Sequence, residues 1–147
     1  MVVTAVALVS IFATGCAPLN AKSNAKPLQN SNALSAKQVA QDYYQSIEQH
    51  DVSAAAQFLA PDLASLYRSS SDSDFHNVQS LSNVTVSNPY NIRLDSKYKY
   101  EVQVTTNYTA QYKQEITDPN GGQTRFIYLG RNSQQAPWLI ISIGTGP

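Results

Sequence analysis

The chain has 147 residues, with ten basic and ten acidic side chains that leave a formal net charge of zero; 42% of it is hydrophobic and only 14% charged. That length, less any leader, holds one domain with a modest core. The basic residues are scattered from Lys22 to Arg131 with no stripe, polybasic run or acidic tail, a pattern that argues against a nucleic-acid partner.

Met1 to Thr14 is an uncharged, mostly apolar run followed by Gly15-Cys16. It is shorter than the roughly 20 apolar residues that cross a bilayer but suits the apolar region of an export signal. Ala13-Thr14-Gly15-Cys16 resembles the bacterial lipobox, in which small residues let an extended backbone enter a protease site and the thiol then becomes a thioether to diacylglycerol. Position 13 is more often Leu in that motif, and no Lys or Arg precedes the run. Residues 1–16 are therefore expected to be a lipoprotein signal, with Cys16 as the lipidation site and palmitate-type acyl chains as the membrane anchor. Two chains hold stably where one binds marginally, at about 0.8 kcal/mol per buried CH₂. Cys16 is also the only cysteine, so no disulfide competes for it. A buried helix, or a plain secretory leader cleaved nearby, are the other readings of the same run. The lipobox reading places the protein on the extracytoplasmic face of the cell membrane.

Residues 17–34 contain two prolines, several Asn and Ser, and no aromatic residue. Such a segment cannot bury enough apolar surface to offset its ordering entropy, so it reads as a flexible tether with a reach of roughly 20–25 Å.

The folded domain is expected over 35–147. Ser35 with Gln38 forms a capping box, and Ala36, Val39, Ala40, Tyr43, Tyr44 and Ile47 follow helical spacing to about Gln49. Asp51 is the expected cap of a second helix bearing Val52, Ala55, Ala56 and Leu59, which Pro61 stops. Asp62 is expected to cap one further short turn through Leu63, Leu66 and Tyr67, and 68–77 reads as a polar loop.

Beyond residue 80 the period becomes two. Leu81–Ser87 is a predicted strand, ended by Asn88-Pro89. Lys97–Tyr112 alternates strictly, with Tyr98, Tyr100, Val102, Val104, Tyr108, Ala110 and Tyr112 on one face and Lys99, Glu101, Gln103 and Gln111 on the other, as in an antiparallel sheet with one dry face. The turn residues of 118–122 predict a hairpin with Thr124–Gly130 as its second arm. The last strand, Trp138–Ile143, is nearly continuous in apolar residues and is expected to be covered on both faces.

Helices followed by antiparallel strands predict an α+β fold with N-terminal helices packed on a curved antiparallel sheet. This order resembles the NTF2-like (cystatin-superfamily) cone, and Val39-Ala40-Gln41-Asp42-Tyr43-Tyr44 with Phe58-Leu59-Ala60-Pro61 looks like its opening. The ending, from Trp138 through Gly144-Thr145-Gly146-Pro147, is similar to lipoprotein domains of the DUF4829 type from Firmicutes. The resemblance spans 35–147 and implies a fold and a setting, with no reaction attached.

The chemistry-bearing residues are few. Two histidines, His50 and His76, and no thiol beyond Cys16 make no metal set, and no nucleophile elbow, Walker loop or dinucleotide fingerprint is present. No cofactor is expected. Tyr43, Tyr100, Tyr108, Tyr112, Phe126 and Trp138 are candidate lining for a pocket, while an aromatic stripe at this spacing is also what a plain core looks like. The acids, Asp74 and Glu101 among them, are expected at caps, in loops or on the wet strand face. The expected function is a non-enzymatic binding or interaction module, with an envelope protein or a small ligand as partner. The alternative is a pocket enzyme of the isomerase or dehydratase type inside the cone, which would need a carboxylate or imidazole facing inward.

Overall fold

Ser35 sets the start of the first helix: its Oγ accepts the Gln38 amide at 3.2 Å and satisfies one orphan N–H of the first turn. The structure, a computed structural model, describes residues 34–94 and 97–146. The leader, Cys16 and the tether up to residue 33 lie outside the described residues, as does Asp95. From its cap, α1 (Ala36–Glu48) turns Val39, Ala40, Tyr43, Tyr44 and Ile47 onto one buried face, the stripe its spacing predicts. Leu34 also packs against the core. It stands just before the cap, where a hydrophobic staple reaches the first turn, so the domain takes in the last residue assigned to the tether.

His50 turns the chain with a φ of 55°, and Asp51 then caps α2 (Val52–Gln57) by accepting the Ala54 amide at 2.9 Å. Pro61 opens a helix and does not end one: α2 already stops at Gln57, and Leu59, expected on it, bridges to Ile140 instead. Pro61 occupies the first position of α3 (Pro61–Ser69), where its missing N–H has no intrahelical partner to lose. Ala60, not Asp62, is therefore the cap residue, and it makes no side-chain bond. The stretch 68–77 is likewise not a loop throughout. It holds the end of α3 and the short α4 (Asp74–Asn77), because Phe75 is buried with its ring 5.6 Å from that of Tyr67.

Strands β1 (Val78–Val86), β2 (Tyr90–Asn91), β3 (Tyr100–Tyr112), β4 (Gly121–Arg131) and β5 (Leu139–Gly144) form one antiparallel sheet in the order β1-β3-β4-β5, with β2 paired to β3 beside β1. The helices pack with this open sheet in an α+β fold. Register shifts bend it where β1 meets β3 and where β4 meets β5. Asn83, with a φ of 57°, lies within one of those shifts, in a conformation asparagine tolerates.

The β3–β4 register sets the face that meets α1. Its rows run Val102–Leu129, Val104–Ile127, Thr106–Arg125, Tyr108–Gln123 and Ala110–Gly121, apolar at one end and polar at the other. On the opposite face Glu101 and Gln103 are buried as well, against their expected place in water. The chain after β2 folds back over Glu101, whose Oε2 accepts the Leu94 amide at 2.7 Å, and the Tyr98 ring lies on Gly130, the cross-strand partner of Glu101.

The final strand is also drier in expectation than in fact. Of β5 only Ile140 is fully buried, because β5 is an edge strand covered at one point. There the α2–α3 junction docks in parallel, Ile140 N–H donating to Phe58 O and Ala60 N–H to Ile140 O, both at 2.8 Å. Among the described residues no helix is long and apolar enough to cross a membrane.

Candidate binding site

The polar end of the inner sheet face meets three helices. Strand β3 contributes Thr106, Tyr108 and Tyr112, and β4 contributes Gln123 and Arg125. Helix α1 brings Tyr43 and Tyr44, α3 brings Tyr67, and α4 places Asp74 at its first position. The rings stack in sequence, Tyr43 on Tyr44 edge-on at 5.0 Å and Tyr44 on Tyr108 at 4.9 Å. Such pairs add about 0.5–1.5 kcal/mol beyond their buried area.

The charged groups of this cluster all have partners within it. Tyr43 Oη donates to Asp74 Oδ2 at 3.2 Å. Arg125, 6% exposed, donates through one terminal nitrogen to Gln123 Oε1 at 3.2 Å and Thr124 O at 3.1 Å, and through the other to the Asp118 carboxylate. The neutral hydroxyls are different. Those of Tyr44, Tyr108 and Tyr112 are buried against one another, Tyr44 interacting with Tyr108 and Tyr108 with Tyr112, while Thr106 Oγ1 is buried with no hydrogen-bond partner. A buried polar group left in that condition is uncommon enough to require a cause.

Burial first, and then the Asp74 carboxylate, lift the Tyr43 phenol well above its ordinary range. Burial and Tyr108 do the same to Tyr44, and burial raises Tyr67 and Tyr108. All four remain neutral donors at any physiological pH. Asp74 is pushed up to about 6, chiefly by burial, with Arg125 and the Tyr43 hydrogen bond opposing and Asp118 and Asp72 reinforcing. For Arg125 burial acts downward, but Tyr108, Asp118 and Tyr112 outweigh it and the guanidinium stays protonated.

Of the aromatic residues singled out in the sequence, the fold brings Tyr43, Tyr108 and Tyr112 together. Tyr100 and Trp138 lie at the far end of the same face, on either side of Arg131, whose guanidinium sits 5.7 Å from the first ring and 4.2 Å from the second. Phe126 pairs with Thr105 and so belongs to the opposite face. Cys16 lies outside the described residues. Asp74, Arg125 and Gln123 are site residues that pattern reading misses. Their one signal is positional: Gln123 and Arg125 share parity with Ile127 and Leu129 along β4.

An open groove of about 430 Å³ lies elsewhere, between Ser69, Ser71, His76, Asn77, Lys113 and Gln114. Two of its side chains are engaged within the fold: Lys113 Nζ donates to His76 O, and Asn77 bonds Asp72 and both backbone groups of Gln114. His50 and His76 are both exposed. Among the described residues no three of His, Cys, Asp or Glu lie together as a metal set. A family model described as a domain of unknown function (DUF4829) matches residues 37–144. No curated protein and no solved structure matches the chain.

Proposed function

The chain belongs to the DUF4829 family, and from that premise we propose that it is a lipid-anchored extracytoplasmic protein whose NTF2-like domain binds a partner or ligand without transforming it. The lipobox-like Ala13-Thr14-Gly15-Cys16 supports the anchor, and helices laid on a bent, open sheet support the NTF2-like assignment. The setting is the envelope of a Firmicutes cell, with the tether holding the domain a few nanometres from the membrane.

One observation carries the non-enzymatic reading: the charged side chains of the inner cluster already have partners within it. A general base must reach the proton it abstracts. Here Asp74 already accepts from Tyr43, and Arg125 is held by Asp118 and Gln123. The other polar groups there are the neutral hydroxyls of Tyr44, Thr106, Tyr108 and Tyr112, which do not ionise.

A second reading has its own support. Asp74, with a pKa of about 6 and in contact with a phenol, is the kind of pair an isomerase or dehydratase uses. The test is affinity capture of the lipidated full chain from intact membranes, followed by incubation of the recovered partner with wild-type protein and with Asp74→Asn. A partner returned chemically unchanged by both proteins supports the binding reading. Conversion by the wild type that Asp74→Asn abolishes replaces it with the enzyme.

A further inference from the structure

Two connections make the end of the sheet that lies away from the tyrosine cluster, one leading from β2 to β3 and one from β4 to β5. They are tied together: Asn132 Oδ1 accepts the Lys99 amide at 3.2 Å, and Arg131 Nη1 donates to Gln134 O at 2.8 Å. Cationic and aromatic side chains interleave here. The Arg131 guanidinium lies 4.2 Å from the Trp138 ring and 5.7 Å from that of Tyr100. Lys99 Nζ is 5.4 Å from the Tyr100 ring and Lys97 Nζ 5.9 Å from the Tyr98 ring. Both lysines are exposed, the three rings are half-buried, and Tyr90, Arg93 and Leu94 are exposed on the flanking chain.

Charge divides the domain between its two ends. At this one, Asp62 pairs with Lys97 at 3.1 Å and Glu101 is buried, while Asp95 lies outside the described residues. At the other, Glu48, Asp51, Asp72, Asp74, Glu115 and Asp118 stand past Tyr44 on α1 or around the 113–120 turn, against Arg68, Lys113 and Arg125.

Helix α1 decides which end meets the tether. Lys37 Nζ donates to Asn88 Oδ1 at 3.3 Å, in the chain between β1 and β2, whereas Tyr44 stacks on Tyr108. The flanking pairs Val86–Thr106 and Tyr90–Gln103 put Asn88 nearer Tyr100 than Tyr108 is. The start of α1, and Leu34 before it, therefore points toward the Tyr100–Arg131 end. Residues 17–33, read as a tether, reach roughly 20–25 Å, which lets that end touch the surface holding Cys16.

We propose that the end of the domain bearing Lys97, Lys99, Arg131, Tyr100 and Trp138 rests on the anionic lipid surface to which the chain is anchored, with the acidic end facing outward. This rests on the anchor reading above. Basic side chains meet the negative surface potential, and amphipathic tyrosine and tryptophan rings sit at headgroup depth. Tethering raises the effective concentration of the surface, so a patch too weak to bind alone engages once the anchor is in place. An acyl anchor and a basic patch are the two signals that together hold a peripheral protein.

Trp138 is the only tryptophan of the chain and reports the contact directly. The full chain is mixed with vesicles of phosphatidylglycerol or of phosphatidylcholine, each carrying a lipid with a nitroxide near its headgroup, and flotation is read beside fluorescence. Quenching of Trp138 should be about twofold or more stronger on phosphatidylglycerol and should weaken as salt is added. Arg93→Glu/Lys99→Glu should lose that excess while floating as before, and Arg68→Glu at the other end should keep it. Equal quenching on the two lipids, an excess indifferent to salt, an excess retained in Arg93→Glu/Lys99→Glu, or an excess lost equally in Arg68→Glu would overturn the face. A lipidated chain that floats with Trp138 unquenched removes the face and leaves the anchor standing. A chain without lipid whose Trp138 shows the charge-dependent quenching removes the anchor and leaves the face.

Discussion

Asp74 offers the most direct measurement of the inner cluster. Its carboxyl is moved from 3.8 to about 6 in the fold, mainly by burial. The folded state thus holds this proton more tightly than the unfolded chain does. The stabilisation from the protonated form is complete below the unfolded value near 3.8 and is lost as pH rises through about 6. Two pK units at 1.36 kcal/mol each set the size of that loss at about 3 kcal/mol. Asp74→Asn keeps the shape and an acceptor for Tyr43 Oη but has no proton to lose. Urea unfolding of wild type and variant from pH 4 to pH 8 should show curves that meet near pH 4 and diverge between pH 4 and 7. By pH 8 the variant should be more stable by up to about 3 kcal/mol. The slopes contributed by every other acid are common to both proteins and cancel in the difference. Parallel curves would show that Asp74 is solvated in solution and that the Tyr43–Asp74 contact is not closed.

Ile47, 2% exposed on the inward side of α1, should cost about 2–5 kcal/mol as Ile47→Ala in the same unfolding assay; a cost below about 0.5 kcal/mol would put the helix in the wrong rotation. Gly130→Ala brings a methyl to 2.6 Å from the Tyr98 ring and should destabilise by about 1–3 kcal/mol. Much of that should return in Gly130→Ala/Tyr98→Ala, and simple additivity of the two changes would mean that the ring does not lie on the glycine. Cys16→Ser should leave the membrane pellet or persist as uncleaved precursor, and normally processed variant protein that stays on the membrane would move the anchor elsewhere.

The α1 stripe and the β3 alternation were readable because each depends on spacing within one element. Parity along β3 placed Tyr108 and Tyr112 on one face without knowledge of any partner strand. Phe126 could not be placed in that way. In Gln123–Leu129 both parities carry apolar side chains, Phe126 and Tyr128 on one and Ile127 and Leu129 on the other. Only the Thr105–Phe126 pairing decides which parity faces the helices. The same ambiguity hid Arg125. Asp74 was missed for a different reason. In a ten-residue polar stretch a single Phe75 gives no period, and the helix that turns Asp74 toward Tyr43 exists because tertiary packing buries that one ring. Glu101 shows the converse limit, since alternation sends it to water and only the returning chain near Leu94 covers it.

The inner face changes character at Thr106–Arg125, and that row separates a packing role from a recognition role. Val102–Leu129 and Val104–Ile127 behave as ordinary core. An arginine in the next row is costly to take out of water, although Tyr108, Asp118 and Tyr112 outweigh burial and keep it charged. Exchanging such a pair for an apolar side chain of similar volume is often neutral or stabilising. Asp118, with its side chain 28% exposed, pairs with Arg125 from the rim, and the remaining hydrogen bonds go to Gln123 and Thr124. Arg125→Met fills a similar volume with no charge to desolvate, and Asp118→Asn leaves the buried guanidinium without its counter-charge. Stability should therefore hold or rise by about 1–4 kcal/mol in Arg125→Met and fall in Asp118→Asn, with the double variant close to Arg125→Met alone, since Asp118 then has no charge left to balance. A large loss in Arg125→Met would make the ion pair part of the scaffold. Retained stability would mean that Arg125 matters for the field and hydrogen bonds it presents beside the neutral hydroxyls of Tyr108 and Tyr112, not for the scaffold.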